Sequence, residues 1–205
     1  MNGGYDDGYS QCDCFWGIEP GSFVKLMSAH LHAPQDLKVL DAGCGEGKNA
    51  AFMAGLGASV DAIDVSELAL RNGRRQWNSA SRINWRCADL RNMALPGDYY
   101  DVVIAYGLLH CLRDREDVFN LLTRLQDATA PSGVNIICAF NSRFQELDAH
   151  PGFQPCLLDH GEYLSVYSSW EVLASSDQDL TERHPHNEIE HTHSLTRIFA
   201  RKAPR

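Results

Sequence analysis

The sequence predicts an α/β domain, a doubly wound and mostly parallel sheet that ends in an antiparallel C-terminal strand pair. Three observations predict it. Short continuous apolar runs alternate with helical patterns from residue 38 to residue 140. The first of those runs passes directly into a glycine-rich turn. After Phe140 the alternation stops, and two further strand-like runs follow near the end of the chain.

Element by element, Tyr5, Tyr9, Phe15 and Trp16 form an aromatic, polar arm whose spacing with Gly and Asp makes a poor helix stripe. Pro20 then opens a helix carrying Phe23, Leu26, Met27 and Leu31 at helical spacing. Lys38 to Asp41, Ser59 to Asp64, Ile83 to Cys87, Asp101 to Tyr106 and Val134 to Phe140 read as strands. Their unbroken apolar character suits strands buried on both faces. Asn49 to Leu56, Ser66 to Asn78 and Glu116 to Thr129 read as the intervening helices. A loop is expected from Asn141 to about His160, then an amphipathic segment with Tyr163, Leu164 and Tyr167. Strands around Trp170 to Leu173 and Ser194 to Ala200 complete the chain.

With 205 residues, 44% of them hydrophobic, one domain is expected: an arm and helix at 1–36, a ligand-binding core at 37–140, and a substrate loop with closing strands at 141–205. The net charge of -9 opposes a nucleic-acid partner. Apolar runs such as Val102 to Leu109 are much shorter than the roughly 20 residues that span a bilayer. The acidic N-terminus has no signal-peptide pattern, so a cytoplasmic monomer or homodimer is expected. The seven cysteines are scattered and suit reduced thiols; the Cys12 and Cys14 pair lacks the second pair that zinc requires.

In an open parallel sheet the ligand lies beyond the carboxyl ends of the strands. The first strand ends in Val39-Leu40-Asp41-Ala42-Gly43-Cys44-Gly45-Glu46-Gly47, a turn that can approach a ligand closely. The second ends at Asp64, about twenty residues past the first glycine, the spacing of a ribose-binding acid. Asp89 follows the third strand, where it can accept from an adenine amine. Asp41 and Glu46 would repel a pyrophosphate, and the third glycine comes one residue too early for the dinucleotide fingerprint, which disfavours a nicotinamide-dependent oxidoreductase. A cationic nucleoside such as S-adenosylmethionine (SAM) fits that charge pattern.

The glycine-rich turn, Asp64, Ala88-Asp89 and Tyr100-Asp101-Val102-Val103-Ile104 together resemble the motif series of class I SAM-dependent methyltransferases over roughly Lys38 to Phe140. Trp170-Glu171-Val172-Leu173 and the closing Thr196 to Lys202 are similar to the tail of the tellurite-resistance-type branch, whose members act on small molecules. The resemblance implies a Rossmann-like sheet of seven strands, the last antiparallel. It also implies Asp64 on the ribose, Asp89 near adenine, and Gly43, Gly45 and Gly47 beside the methionine part of SAM. Asp41, Val65, Leu90 and Tyr106 complete the expected cofactor set. The long Asn141 to His160 loop and the histidine-rich tail depart from the branch.

Methyl transfer from a sulfonium requires proximity, alignment and dryness, with a base needed only where the acceptor must lose a proton. Tyr106 and His110, after the fourth strand, are the catalytic candidates, and His110 can serve as a base. Tyr5, Tyr9 and Trp16 are expected to close the site over a small-molecule acceptor, with Asn141, His191 and His193 lining its pocket. His191 and His193 share one face of a strand and, with His186 or Glu188, make a possible metal set. The pocket-lining role is preferred and no metal ligand is assigned. A non-catalytic SAM-binding module is the alternative.

Overall fold

The fold comes from a computed structural model that describes residues 5–12, 14–31, 34–150, 152–183 and 189–205. The helices are α1 (Asp6–Gln11), α2 (Ser22–Ser28), α3 (Lys48–Gly55), α4 (Glu67–Gln76), α5 (Arg115–Ala128) and α6 (His160–Val166). The strands are β1 (Lys38–Ala42), β2 (Ser59–Asp64), β3 (Ile83–Cys87), β4 (Tyr100–Tyr106), β5 (Thr129–Gln145), β6 (Glu171–Glu182) and β7 (His191–Arg201). They form one seven-stranded sheet in the order β3-β2-β1-β4-β5-β7-β6. β1 to β5 are parallel, while β7 runs antiparallel to both β5 and β6. The order reverses between β1 and β4, the switch point at which such sheets bind ligands.

The apolar runs are continuous because each strand feeds two cores. On one face Leu40, Val103, Ala105, Ile137 and Ile198 pack with Leu121, Leu122 and Leu125 of α5 and with Tyr163 of α6. On the other, Val39, Val60, Val102, Ile104 and Ile136 pack with Val24 and Met27 of α2, Met53 of α3 and Leu70 of α4. Helix starts are fixed by side-chain caps: Ser66 Oγ accepts from Ala69 N–H, Asp114 from Asp117 N–H, and Asp159 with Glu162 closes a capping box.

Three elements differ from the sequence expectation. The arm contains a helix, α1, because Asp6 and Asp7 complement its N-terminal dipole and Tyr9 is buried with Phe15 against Ala69 of α4. The loop after Phe140 starts later, since β5 runs on to Gln145 and pairs there with His193 of β7. β6 is far longer than its apolar start. It is the sheet edge, and its residues from Ser175 onward pair with β7 while their other side meets solvent, so polarity does not interrupt it.

α4 lies against the turn after β1. Gly73 has no room for a side chain: a Cβ there would stand 2.7 Å from the Glu46 carbonyl oxygen and 2.8 Å from the Trp85 ring. Alanine is intrinsically the better helix former by about 1 kcal/mol, but backbone on one side and a fixed indole on the other leave no relaxation. Gly73→Ala is therefore expected to destabilise the protein, by about 1–3 kcal/mol net, measured as a lower urea midpoint. An unchanged or raised midpoint would show that the turn yields.

Candidate active site beyond the carboxyl ends of the central strands

The turn after β1 is folded back onto the end of β2. Gly43 and Cys44 donate their N–H groups to the Ile63 carbonyl at 2.8 and 3.0 Å, and Gly45 N–H donates to Asp64 Oδ2 at 2.8 Å. Ser66 N–H donates to the other oxygen, Oδ1, at 2.9 Å. Gly47 closes the turn with φ +78°, and a Cβ there would lie 2.3 Å from the Trp85 ring, so only glycine fits. The turn is thus pinned by β2, α4 and β3 together.

It forms the floor of a cavity of about 210 Å³. Gly43 to Asn49, Asp64 and Val65 line one end, and Tyr106, His110, Cys111, Cys138, Phe140, Leu180, Glu182 and Leu195 the other. Tyr5, Tyr9 and Trp16 of the arm also line it. The arm is fastened to the turn: Tyr9 Oη accepts from Trp16 Nε1 at 3.1 Å, Lys48 Nζ donates to the Trp16 carbonyl at 2.8 Å, and Asn72 Nδ2 to the Tyr9 carbonyl at 2.9 Å. A narrower recess of about 60 Å³ shares Gly43, Asp64, Val65, Leu108 and Cys111 and continues to Asp89 and Leu90.

Of the residues expected from sequence, Gly43, Gly45, Gly47, Asp64, Val65, Tyr106, His110, Tyr5, Tyr9 and Trp16 converge on the cavity, and Asp89 and Leu90 on the recess. Four do not reach it. Asp41 is buried beneath the turn, where its Oδ2 accepts Ala50 N–H at 2.9 Å and orients the start of α3. Asn141 is buried in the sheet, donating to Asp177 Oδ1 at 2.8 Å and Thr196 Oγ1 at 3.2 Å. His191 and His193 are buried off the wall, His193 stacking on Phe140 at 4.1 Å between ring centres. His184, His186 and Glu188 lie outside the described residues.

His110 reaches the cavity in a form that differs from the expected base. Its Nδ1 accepts Phe140 N–H at 3.1 Å and its ring stacks on Phe140 at 4.0 Å. Burial, helped by His193 and His150, pushes its pKa down to about 3. The ring is neutral with its proton on Nε2, a donor and not a proton acceptor. Tyr106 is held by Ser22 Oγ at 3.3 Å and Arg197 Nε at 3.4 Å. Among the lining residues that sequence reasoning missed, Lys48 enters directly after the glycine turn at the start of α3, whereas Cys138 and Phe140 on β5 and Glu182 on β6 are brought here by the pairing of those strands with β7.

Burial shifts the ionisable groups at the turn. Burial raises the Asp64 carboxyl above its usual range and pushes that of Asp41 up to about 7, the neighbouring Asp64 adding to the effect. Lys48, the ammonium on the cavity wall, is depressed by burial. Asp89 stands apart: Arg91 clasps it through Nε and through Nη2 at 2.6 Å and holds it well below the usual carboxylate range. For Asp41 the folded state binds its proton more tightly than the unfolded chain, so stability is lost as pH rises from about 4 to 7. We expect up to about 1.4 kcal/mol per pH unit from this group. Asp41→Asn should remove this contribution, making the slope of stability against pH less negative by up to about 1.4 kcal/mol per pH unit, read from urea unfolding across that range; an identical slope in both proteins would place the titration elsewhere.

Residues 39–133 match the methyltransferase domain family. A demethylmenaquinone methyltransferase from Clavibacter sepedonicus is 33% identical over 106 residues, 51% of this chain and 42% of that protein. The chain spans about half the length, or less, of the curated relatives it matches first. In structure, TehB from Haemophilus influenzae aligns with a TM-score of 0.73 at 21% identity, over 89% of this chain and 62% of that one. A 1,6-didemethyltoxoflavin-N1-methyltransferase from Burkholderia thailandensis, solved with 1,6-didemethyltoxoflavin and S-adenosylhomocysteine, aligns at 0.67 and 20% identity over 97% and 85%. Among the described residues no helix is long and apolar enough to cross a membrane. The strand order and the glycine turn folded onto β2 agree with the match of residues 39–133 to the methyltransferase domain family.

Proposed function

We propose that the protein methylates a small-molecule acceptor by in-line displacement inside the cavity beneath its N-terminal arm. The observation that carries this reading is the division of one cavity into a polar, glycine-floored end and an aromatic, apolar end, roofed by Tyr5, Tyr9 and Trp16. The residues fit SAM. Asp64 spends one lone pair of each oxygen on a backbone N–H and keeps the others for ribose hydroxyls. Val65, Leu90 and Leu108 give the recess apolar walls for a base, and Asp89, already clasped by Arg91, is at its rim. Burial pushes the Asp41 and Asp64 carboxyls toward their neutral forms, and a cationic ligand beside them would favour the charged forms. When bound, SAM supplies a methyl group activated by its sulfonium.

The chain's own task is then to seat the acceptor and exclude water. Phe140, Leu180, Leu195 and Tyr106 form the wall, Glu182 gives one polar anchor, and His110 is a neutral residue in that wall. An enclosed site of this kind takes a small ligand. The structural neighbour solved with 1,6-didemethyltoxoflavin supports that class of acceptor. The net charge of -9 weighs against a nucleic acid.

Asp64→Ala is expected to weaken SAM binding at least about tenfold, since charge-assisted bonds of about 1.5–3 kcal/mol each are lost. Calorimetry measures this, with circular dichroism to confirm that the fold persists. Unchanged affinity would remove Asp64 from the site. For the acceptor, methyl-labelled SAM and a metabolite panel analysed by mass spectrometry should give a labelled small product. Label found only on protein or nucleic acid would refute the proposed class.

A further inference from the structure

Beside the acceptor end of the cavity, three buried imidazoles converge. His150 comes from the segment after β5, and His191 and His193 from one face of β7. His150 Nε2 lies 3.2 Å from His191 Nε2 and 3.3 Å from His193 Nε2, and the three ligand atoms are all within 4.8 Å of one another. A tetrahedral ion with nitrogens at about 2.0–2.1 Å holds them about 3.3–3.4 Å apart. The two measured separations have that size.

Hydrogen bonds at the far sides of the rings fix which nitrogens converge as acceptors. His191 Nδ1 is 2.8 Å from the Ile189 carbonyl, which can only accept, so that nitrogen carries the proton. His193 Nδ1 is 2.7 Å from Gln145 Oε1. The Gln145 amide cannot be reversed, because its Nε2 donates to the carbonyls of Asn141 and Ser194 at 2.8 and 2.9 Å. With Nδ1 of both rings donating outward, both turn Nε2 toward His150 Nε2. Anchoring of the outer nitrogen by a carbonyl is how metal-bound histidines are oriented. Glu182 Oε1 is 3.9 Å from His191 Nε2 and also lines the cavity, so a carboxylate stands between the three rings and the cavity.

We propose that His150, His191 and His193 bind one divalent transition-metal ion of the zinc type, with Glu182 as the neighbouring carboxylate facing the acceptor end. This replaces the expectation of a metal-free tail, which lacked His150 as a partner. The set does not depend on the methyl-transfer reading.

The full chain, freed of metal by chelation, should take up one equivalent of Zn²⁺ or Co²⁺ in calorimetric titration. X-ray absorption should give a first shell of nitrogen and oxygen at about 2.0 Å with imidazole scattering and no sulfur. His193→Gln should weaken binding more than Gln145→Leu, for which a loss of about 10- to 100-fold is expected; the second variant leaves all three ligands in place should the first fail to fold. Joint replacement His184→Asn and His186→Asn should leave the affinity unchanged. No uptake, a sulfur-containing shell, indifference to both His193→Gln and Gln145→Leu, or loss in the His184 and His186 double variant would each overturn the site.

Discussion

The site depends on one close approach, that of the glycine turn to the end of β2. Three consecutive N–H groups, from Gly43, Cys44 and Gly45, are satisfied by β2 through the Ile63 carbonyl and the Asp64 carboxylate. Two of the turn's limits are steric, since Trp85 bars a side chain at both Gly47 and Gly73. Once the turn is fixed, its outer surface becomes the cavity floor, and Asp64 is presented at that floor because the same contact holds its carboxylate.

The arm is an extension of this constraint. Asp6 accepts from Ser66 Oγ at 2.5 Å, Glu46 Oε1 accepts from Cys14 N–H at 3.2 Å, and Lys48 donates to the Trp16 carbonyl. Glu46 lies in the turn, Lys48 begins α3 directly after it, and Ser66 caps α4, which packs against the turn. Tyr5 packs against Phe153, with ring centres 5.4 Å apart, and against Trp16 at 5.1 Å, so the arm also meets the segment after β5.

At the acceptor end the organising residue is Phe140. Its ring is sandwiched between His110 and His193, and its N–H fixes the His110 tautomer. This one side chain separates a cavity-lining imidazole from the buried histidine group. His110 is held neutral because burial and the neighbouring imidazoles both oppose a positive charge there.

The alternation of apolar runs and helical segments determined the parallel sheet, and the strand ends carrying Gly43, Gly45, Gly47, Asp64 and Asp89 determined where the cavity and its recess open, because strand direction puts those residues at one edge. Local chemistry was sufficient there, as each signal spans only a few residues. Tertiary structure alone decided the rest. Asp41 sits in the same motif but its carboxylate points under the turn, a difference that spacing cannot express. Asn141 became a buried strand residue since β5 continued past its apolar run to pair with β7. The placement of Glu182 opposite His191 comes from the β6–β7 register, and His150 meets His191 and His193 from some forty residues away in the chain; neither register nor such a distant contact leaves a mark in composition or periodicity.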